Sequence, residues 1–212
     1  MQRRLPTRRE VLLAVGAAGT VGTAGCLGDD GGAEGDCSGE QREVDVPAMG
    51  DPDSGIEVEV YEDFACPSCR TYELDVAPEI KDRYVEPGEI SYHTHDFPIP
   101  VDDTWSWKVP NAALAVLEDA GEEAYVDFGA EVYELQGEYE ADSLAALAAS
   151  HGADEATVRE AIDEEPFCEQ IVESRQAGID RGVEGTPTVV VNDEFLEEWS
   201  VEAVSDAIEA ER

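Results

Sequence analysis

Basic side chains are scarce in this sequence. Its 212 residues include 13 lysines and arginines against 51 aspartates and glutamates, which gives a formal net charge of -38. The lysines are Lys81 and Lys108 alone. Because phosphate backbones are bound by clustered lysine and arginine side chains, this composition excludes a general nucleic-acid binder. We therefore expect no nucleic-acid partner.

Aromatic residues are also few, at 7% of the chain, and no nucleotide, flavin or haem motif is present. A composition this acidic is also found in disordered tails. Here, however, the carboxylates are spread through segments in which valine, isoleucine, leucine, tyrosine and phenylalanine recur at regular spacing. The sequence therefore predicts one folded domain and no organic cofactor.

The acidic, lysine-poor composition is typical of proteins that work in concentrated salt. At molar ionic strength the screening length falls to roughly 3 Å, which removes most of the repulsion between surface carboxylates. We interpret the source as an extreme halophile, with an ordinary acidic mesophilic protein as the alternative.

Residues 1–25 predict an export signal. An uncharged run of about fifteen residues, 11–25, is too short for a comfortable membrane span and is typical of a signal peptide. Arginines come before it, at Arg3, Arg4, Arg8 and Arg9. The pair Arg8-Arg9 with the apolar residues after it resembles a twin-arginine signal, which exports proteins that have already folded.

Small residues followed by Cys26 resemble a lipobox, in which the cysteine becomes lipidated after cleavage. Thr23 departs from the leucine that is most often found at its position. An uncleaved N-terminal anchor helix with an incidental cysteine is the alternative, and both hypotheses place the domain outside the cell, attached to the membrane. Residues 26–55 are rich in glycine and acidic side chains, which predicts a flexible acidic tether.

Cys66-Pro67-Ser68-Cys69 is the most informative pair among the five cysteines. An alternating segment, 56–61, predicts a strand before it, and residues 70–80 predict a helix after it. A thiol at a helix N-terminus meets free backbone N–H groups and the positive end of the helix dipole, which favour the thiolate. Pro67 suits the first helical position.

Two other readings of this pair are weaker. A zinc site would need a second pair of ligands, and the remaining thiols, Cys37 and Cys168, are far apart in the sequence. A purely structural disulfide would close a very small loop and gain little stability.

The segment Gly182–Thr188 precedes a β-branched run, 189–191, that reads as a central strand. A proline such as Pro187 is unexpected there unless it begins the strand in a special geometry, of which a cis peptide bond is one.

Three blocks resemble the hallmark motifs of the DsbA-like thiol-disulfide oxidoreductases. They are Asp63-Phe64-Ala65-Cys66-Pro67-Ser68-Cys69-Arg70-Thr71-Tyr72-Glu73, Asp96-Phe97-Pro98-Ile99 and Gly182-Val183-Glu184-Gly185-Thr186-Pro187-Thr188. The resemblance implies an α/β, thioredoxin-like fold over 56–212 with an inserted helical subdomain at about 108–181. It also implies a cis Thr186-Pro187 bond beside Cys66, and a Thr186 backbone that hydrogen-bonds an extended substrate.

The coarse layout agrees with that fold. Strands are expected at 89–97 and in a hairpin across Asn192-Asp193, and a C-terminal helix is expected over 201–210. Helices of the insertion are expected at 111–120, 122–136, 143–149 with Asp142 as its cap, 157–163 and 166–181.

Three further features leave alternatives open. Cys168 has helical spacing with apolar neighbours and is either an inert buried thiol or the disulfide partner of Cys37. Relatives commonly bury a proton-handling carboxylate six residues before the first cysteine, where this chain has Val60. Glu59, Glu62 or water are the candidate substitutes. The His93 and His95 pair lacks a third ligand, so we predict no metal site.

We therefore expect an exported enzyme that exchanges disulfides with cysteine-containing exported proteins through an exposed Cys66 and through Cys69. The redox-active disulfide is its only cofactor, and an unidentified redox partner restores it. A reductase or isomerase with the same residues, and a non-catalytic surface lipoprotein, are the alternatives.

Overall fold

The computed structural model describes residues 37–99 and 101–212. The predicted signal with Arg8 and Arg9, and the predicted lipid-attachment residue Cys26, lie outside the described residues. Within the described ranges, no helix combines the length and the apolar character needed to cross a membrane.

A five-stranded sheet with the order β1-β3-β2-β4-β5 occupies the centre of the domain. Its strands are β1 (Met49–Gly50), β2 (Glu57–Glu62), β3 (Ser91–Asp96), β4 (Thr188–Val191) and β5 (Glu194–Phe195). The neighbours β2 and β3 run parallel, and the other neighbours run antiparallel. The central strand β2 alternates acidic and apolar residues, so its two faces enter different environments.

Helices cover both faces of the sheet. Val58 and Val60 of β2 pack into one apolar cluster with Tyr72, Ile80 and Ile208. The elements on that side are α1 (Pro67–Asp75), α2 (Ala77–Ile80), a π-helical turn (Lys81–Val85) and α8 (Val201–Ala210). On the opposite face, Tyr61 packs with Phe97, Val183 and Val190.

Between β3 and β4 the chain inserts a helical subdomain. It consists of α3 (Trp105–Ala120), α4 (Glu122–Val132), a 3-10 turn (Tyr133–Leu135), α5 (Ala141–Ser150), α6 (Glu155–Glu164) and α7 (Cys168–Arg181). Its largest fully buried side chains include Phe128, Leu144 and Phe167. The whole is an α/β, thioredoxin-like fold with an inserted helical subdomain, and the predicted fold class is confirmed.

The predicted start of α3 was wrong by six residues, because the helix continues through Pro110. Trp107 and Val109 are buried in the subdomain core, so packing outweighs the backbone hydrogen bond that proline removes. The Asp102 carboxylate accepts a hydrogen bond from the backbone N–H of Trp105 at 2.8 Å and fixes the first turn. The predicted cap of α5 was also wrong, since Glu140 caps that helix.

The prediction of a flexible tether over 26–55 was wrong from Cys37 onward. Cys37 forms a disulfide with Cys168, which is one of the two alternatives that the sequence left open. The backbone of Val44 exchanges two hydrogen bonds with the side-chain amide of Gln170, at 3.0 and 2.9 Å. These contacts join polar groups, so apolar periodicity gives no sign of them.

The predicted C-terminal hairpin and helix are confirmed. Asn192 and Asp193 both have positive φ, at 45° and 71°, as the tight turn between β4 and β5 requires. The Asn192 side chain also accepts a hydrogen bond from the backbone N–H of Glu57 at 2.8 Å, which ties the turn to the start of β2.

Candidate active site

Cys66 lies at the junction between β2 and α1. Its backbone is extended, with φ -76° and ψ 121°, and it occupies the N-cap position of α1. Pro67 follows at the first helical position, where its missing N–H costs no hydrogen bond. The Cys66 sulfur therefore lies beside the free N–H groups of the first helical turn.

These surroundings lower the pKa of Cys66 from 9.0 to about 5. The largest cause is a hydrogen bond from the Cys69 thiol to the Cys66 thiolate, followed among the lowering causes by Thr186 and by the backbone N–H groups of Cys69 and Ser68. Burial acts in the opposite direction. At neutral pH, Cys66 is therefore a thiolate.

Cys69, one helical turn later, behaves in the opposite way. Its side chain is fully buried, and both cysteines are free thiols in the structure. Burial and the Cys66 thiolate raise the pKa of Cys69 far above its ordinary value. The pair therefore consists of one thiolate and one thiol.

The loop before β4 contacts this pair. The Thr186-Pro187 peptide bond is cis, and the Cys66 sulfur lies 3.5 Å from the carbonyl oxygen of Thr186, to which it donates a hydrogen bond when it is protonated. The Thr186 hydroxyl is buried without a hydrogen-bond partner among the described residues, and its presence lowers the pKa of both cysteines. The two motifs are 120 residues apart in sequence and meet in one site.

The expectation of an exposed Cys66 was wrong in degree. Cys66 retains 5% of its accessible surface, and Cys69 retains none. The physical reason is that Cys66 packs into the apolar cluster of the inserted subdomain, which the strand-to-helix motif alone does not reveal. Its neighbours Pro67 and Ser68 are exposed, so the site meets solvent at this dipeptide.

Residues after α4 hold the backbone of the active-site loop. The Gln136 amide donates hydrogen bonds to the carbonyl oxygens of Phe64 and Cys66, at 2.8 and 2.9 Å. The Tyr139 hydroxyl donates a second hydrogen bond to Phe64, at 2.9 Å. Sequence analysis missed Gln136 and Tyr139, because nothing in their local pattern indicates which distant carbonyl they reach.

Asp63 braces the same loop from the other side. Its carboxylate accepts hydrogen bonds from the backbone N–H groups of Ala65 and Ile99, at 2.7 and 2.8 Å. Burial raises its pKa to about 6, against the lowering effect of these hydrogen bonds. Asp63 belongs to the first block of the resemblance, but its bracing role was not anticipated.

Several buried polar side chains form a cluster at the end of β2 and on α1. Glu62, at the end of β2, is 8% exposed, and Glu73, on α1, is 5% exposed. Lys81 Nζ donates a hydrogen bond to Glu73 Oε2 at 2.9 Å, and the Tyr133 hydroxyl donates to Glu62 Oε2 at 3.4 Å. Burial, and then the charge of Glu73, raise the pKa of Glu62 well above its ordinary value.

Glu59, the other candidate carboxylate, faces the opposite side of the sheet. It is paired with Arg181, at 2.5 Å, and lies 3.3 Å from His95. His93 lies 3.8 Å from Glu57 on the same face. In the part of the chain that the structure describes, these residues and all others form no cluster of three or more ligands suited to a metal ion.

A groove opens next to the cysteines, between the loop before α3 and the loop after the 3-10 turn. Ala65 and Pro67 line it together with Trp105 and Tyr139, whose rings contact each other in a tilted arrangement with 5.9 Å between their centroids. Trp105 lines this groove, whereas Trp107 is buried in the core.

Taken together, a thioredoxin-like sheet, a Cys-X-X-Cys pair at a helix N-terminus and a cis-proline loop beside it define the class of thioredoxin-fold thiol-disulfide oxidoreductases. Residues 43–210 match the Thioredoxin_4 family, described as thioredoxin, and the chain belongs to this family.

Among curated proteins, the chain is similar to the disulfide bond formation protein D of Bacillus subtilis. The two are 24% identical over 184 residues, which cover 82% of this chain and 80% of the relative. The probable disulfide bond formation protein D of Bacillus anthracis is 27% identical over 89 residues, covering 42% of this chain and 40% of the relative.

Solved structures with a similar fold include DsbA-type proteins. The crystal structure of oxidised BdbD from Bacillus subtilis superposes with a TM-score of 0.71 at 23% identity, covering 78% of this chain and 91% of that chain. Chlamydia trachomatis DsbA superposes with a TM-score of 0.70 at 25% identity, covering 77% and 90%. The relatives and structural neighbours are DsbA-type enzymes, and this chain is a DsbA-like thiol-disulfide oxidoreductase whose redox centre is a cysteine pair.

Proposed function

We propose that this enzyme oxidises or exchanges disulfides in exported proteins through Cys66 and Cys69. The contrast between the two thiols carries the proposal: Cys66 has a pKa of about 5, whereas burial and the neighbouring thiolate keep Cys69 protonated. A thiol of low pKa is a good leaving group, which favours transfer of the disulfide to a substrate.

The proposed reaction begins with the oxidised Cys66–Cys69 pair. A substrate thiolate attacks the Cys66 sulfur, the Cys66–Cys69 bond breaks, and a mixed disulfide between Cys66 and the substrate forms. A second substrate thiolate then attacks the substrate sulfur of that mixed disulfide and expels Cys66 as a thiolate. The substrate gains a disulfide, and the enzyme is left as a dithiol.

The Thr186-Pro187 loop is the proposed binding site for the substrate backbone. Thr186 already contacts Cys66 through its carbonyl oxygen, so an extended segment that pairs with this loop would reach the sulfur. The exposed dipeptide Pro67-Ser68 and the adjoining groove at Trp105 leave room for the substrate chain on the same side.

Dithiol oxidation in concentrated salt tests the reaction. We expect the oxidised wild type to oxidise a reduced peptide and Cys66→Ser to be inactive. Cys69→Ala, offered a peptide that carries a disulfide, should accumulate a mixed disulfide at Cys66 as one peptide thiolate leaves, and a reductant should release the bound peptide. The double variant Cys66→Ser/Cys69→Ala is the matched control and should trap nothing. Equal rates for wild type and Cys66→Ser would overturn the proposal in favour of a non-catalytic lipoprotein.

The direction of electron flow is tested by the redox potential. An oxidase should have a potential well above that of thioredoxin, roughly -270 mV, and nearer the strongly oxidising end of the thioredoxin-fold range. A value close to that of thioredoxin would instead support the reductase or isomerase alternative, which uses the same residues.

The proposed location is the outer face of the cell membrane of a halophile. Export through the Arg8-Arg9 signal and lipid attachment at Cys26 are supported by the sequence pattern, and the Cys37–Cys168 disulfide suits an oxidising compartment. We expect Arg8→Lys/Arg9→Lys to retain the precursor in the cytoplasm and Cys26→Ala to release the protein from membranes. An unchanged membrane fraction for Cys26→Ala would contradict lipid anchoring.

The redox partner is proposed to be a second protein that carries an oxidising disulfide or an equivalent acceptor, since nothing on the chain itself is expected to accept the electrons. Reoxidation of the dithiol by isolated host membranes, and its absence with cytosol alone, would support such a partner outside the cell.

A further inference from the structure

The groove beside the cysteines presents more hydrogen-bond acceptors than donors. It has a volume of about 320 Å3, and its lining includes the side chains of Gln136, Tyr139, Trp105 and Asp102. Amides and hydroxyls can both donate and accept, so the groups that remain free for a ligand depend on the hydrogen bonds already made. Gln136 and Tyr139 already donate to the active-site loop.

Both N–H groups of the Gln136 side chain are used in this way. They donate to the carbonyl oxygens of Phe64 and Cys66, at 2.8 and 2.9 Å. Because a carbonyl oxygen can only accept, these two bonds fix the orientation of the amide and leave Oε1 on its other side. No donor among the described residues reaches Oε1, and this oxygen is not fully buried. Gln136 therefore presents an acceptor to the groove.

Asp102 and Tyr139 are also left as acceptors. Asp102 Oδ1 accepts hydrogen bonds from the backbone N–H groups of Thr104 and Trp105, at 2.9 and 2.8 Å. Its second oxygen, Oδ2, has no donor in the part of the chain that the structure describes. The Tyr139 hydroxyl donates its proton to Phe64 at 2.9 Å. Within the described ranges, the indole N–H of Trp105 is the one lining side-chain donor that remains free.

The charge around the groove is negative. Asp102 is a lining residue, and no lysine or arginine of the described chain is one. Arg70, on α1, donates to the carbonyl oxygen of Tyr133 at 3.0 Å instead. Exposed acidic residues adjoin the lining residues in sequence, at Asp103, Glu138 and Glu140. A complementary ligand therefore carries positive charge together with several hydrogen-bond donors.

We propose that this groove binds an arginine side chain of the protein substrate, a few residues from the cysteine that attacks Cys66. The proposal rests on the proposed function of the cysteine pair and adds a feature of its substrates. Pro67, which directly follows Cys66, lines the groove, and Gln136 contacts the Cys66 carbonyl oxygen at 2.9 Å. An extended chain advances about 3.3 Å per residue, so a few residues are enough to join the sulfur and the groove.

A guanidinium group matches the free acceptors and the aromatic rings of the groove. It carries five N–H donors, which suit Gln136 Oε1 and the Asp102 carboxylate, and it has no acceptor. Its flat face stacks on aromatic rings, and the rings of Trp105 and Tyr139 lie here with 5.9 Å between their centroids. Val101, which is 50% exposed, offers an apolar surface to the methylene groups of the arginine.

Concentrated salt separates this contact from long-range attraction. At molar ionic strength the screening length is roughly 3 Å, so exposed carboxylates around the groove attract a distant cation only weakly. A guanidinium that touches the rings and donates hydrogen bonds is screened much less, because no salt solution lies between the groups. The preference for arginine should therefore persist at molar salt.

The test compares reduced dithiol peptides that differ at one residue near the attacking cysteine. This residue is arginine, lysine, leucine or citrulline, which keeps the shape of arginine without its charge, and it is placed in turn at the positions on either side of the cysteine. The oxidised wild-type protein oxidises each peptide at one molar salt concentration, and the second-order rate constant is measured. Each rate is divided by that of the same peptide with glutathione disulfide, because a positive charge by itself lowers the pKa of the peptide thiol.

We expect the normalised rate of the arginine peptide to exceed that of the citrulline peptide by about threefold to thirtyfold at the best position. The lysine peptide should fall between them, because an ammonium group carries the charge without the flat face. Equal normalised rates for arginine and citrulline, or for arginine and lysine, would overturn the inference. A leucine peptide that reacts fastest would also overturn it, because the groove would then select an apolar side chain.

Variants of the groove locate the effect. Trp105→Leu and Asp102→Asn should each reduce the advantage of arginine over citrulline, and Asp102→Asn keeps a helix cap because asparagine also caps helices. Asp154→Asn is the matched control and should keep the full advantage. Asp154 caps α6 by accepting from the backbone N–H groups of Ala156 and Thr157, at 2.9 and 3.0 Å, and does not line the groove.

Denaturant unfolding shows which variants fold, and if Trp105→Leu does not, Asp102→Asn decides alone. An arginine advantage that the folded groove variants leave intact would overturn the inference. The two proposals fail in different ways. If Cys66→Ser still oxidises the peptides like the wild type, the function of the cysteine pair is wrong. If Cys66→Ser is inactive while all peptides react with the wild type at one normalised rate, the function stands and the groove does not select arginine.

Discussion

Because of the low pKa of Cys66, the free energy of unfolding of the reduced protein should increase relative to that of the oxidised protein as the pH rises from 5 to 7. The folded pKa, about 5, lies below the ordinary value of 9.0, so the thiolate stabilises the folded reduced form. This stabilisation is complete above pH 9 and is lost as the pH falls through 5. The oxidised form has no Cys66 thiol to titrate.

The magnitude follows from the linkage between proton binding and folding. Each pH unit between the two pKa values adds about 1.4 kcal/mol to the stability of the reduced form. Because half of the thiols are already ionised at pH 5, the gain between pH 5 and 7 is about 2 kcal/mol. Compared with a pair whose thiols both keep the ordinary pKa, this gain makes the redox potential at pH 7 roughly 40 mV more oxidising.

Denaturant unfolding of both redox forms, at several pH values and one high salt concentration, measures this gain. The ultraviolet absorbance of the thiolate in the reduced protein reports the Cys66 pKa independently. Cys66→Ser is the control, because it should lose the pH-dependent part of the stability. A stability difference that is the same at pH 5 and pH 7, or a thiolate that forms only near pH 9, would refute the reasoning.

Further predictions concern Thr186, Gln136 and the second disulfide. Thr186→Val should raise the Cys66 pKa, measured by thiolate absorbance, because it removes a hydroxyl that favours the thiolate; an unchanged pKa would contradict this role. Gln136→Leu should lower the free energy of unfolding by about 1 to 3 kcal/mol and slow dithiol oxidation, since two carbonyl groups of the active-site loop lose their donor. Cys37→Ser/Cys168→Ser should cost about 2 to 4 kcal/mol in denaturant unfolding and leave the potential of the Cys66 pair unchanged; a shifted potential would show coupling between the two disulfides.

Local sequence signals predicted most of the fold. The alternation in β2, the Asn192-Asp193 turn and the amphipathic α8 each depend on near neighbours, and each was found where it was expected. The start of α3 was not, because proline is read locally as a boundary, whereas the burial of Trp107 on the first turns of the helix is a tertiary effect.

The site was only half predictable for a similar reason. The two cysteines and Pro187 stand in recognisable motifs, but Gln136 and Tyr139 reach the site from positions whose local sequence carries no chemical pattern. Glu62 was one of two candidates that strand alternation alone did not separate. Only the side-chain contacts separate them: Glu62 accepts a hydrogen bond from Tyr133, whereas Glu59 pairs with Arg181.

The near burial of Cys66 and its low pKa have to be explained together, because burial alone acts to raise a thiol pKa. Hydrogen-bond donors must therefore more than offset the loss of solvation, and they are oriented before any substrate arrives. Since Cys66 retains only 5% of its accessible surface, an attacking thiolate has to approach over the exposed Pro67-Ser68 dipeptide and the Thr186 loop. The same packing that restricts access thus also fixes the line of attack, which is a requirement for transfer between two sulfur atoms.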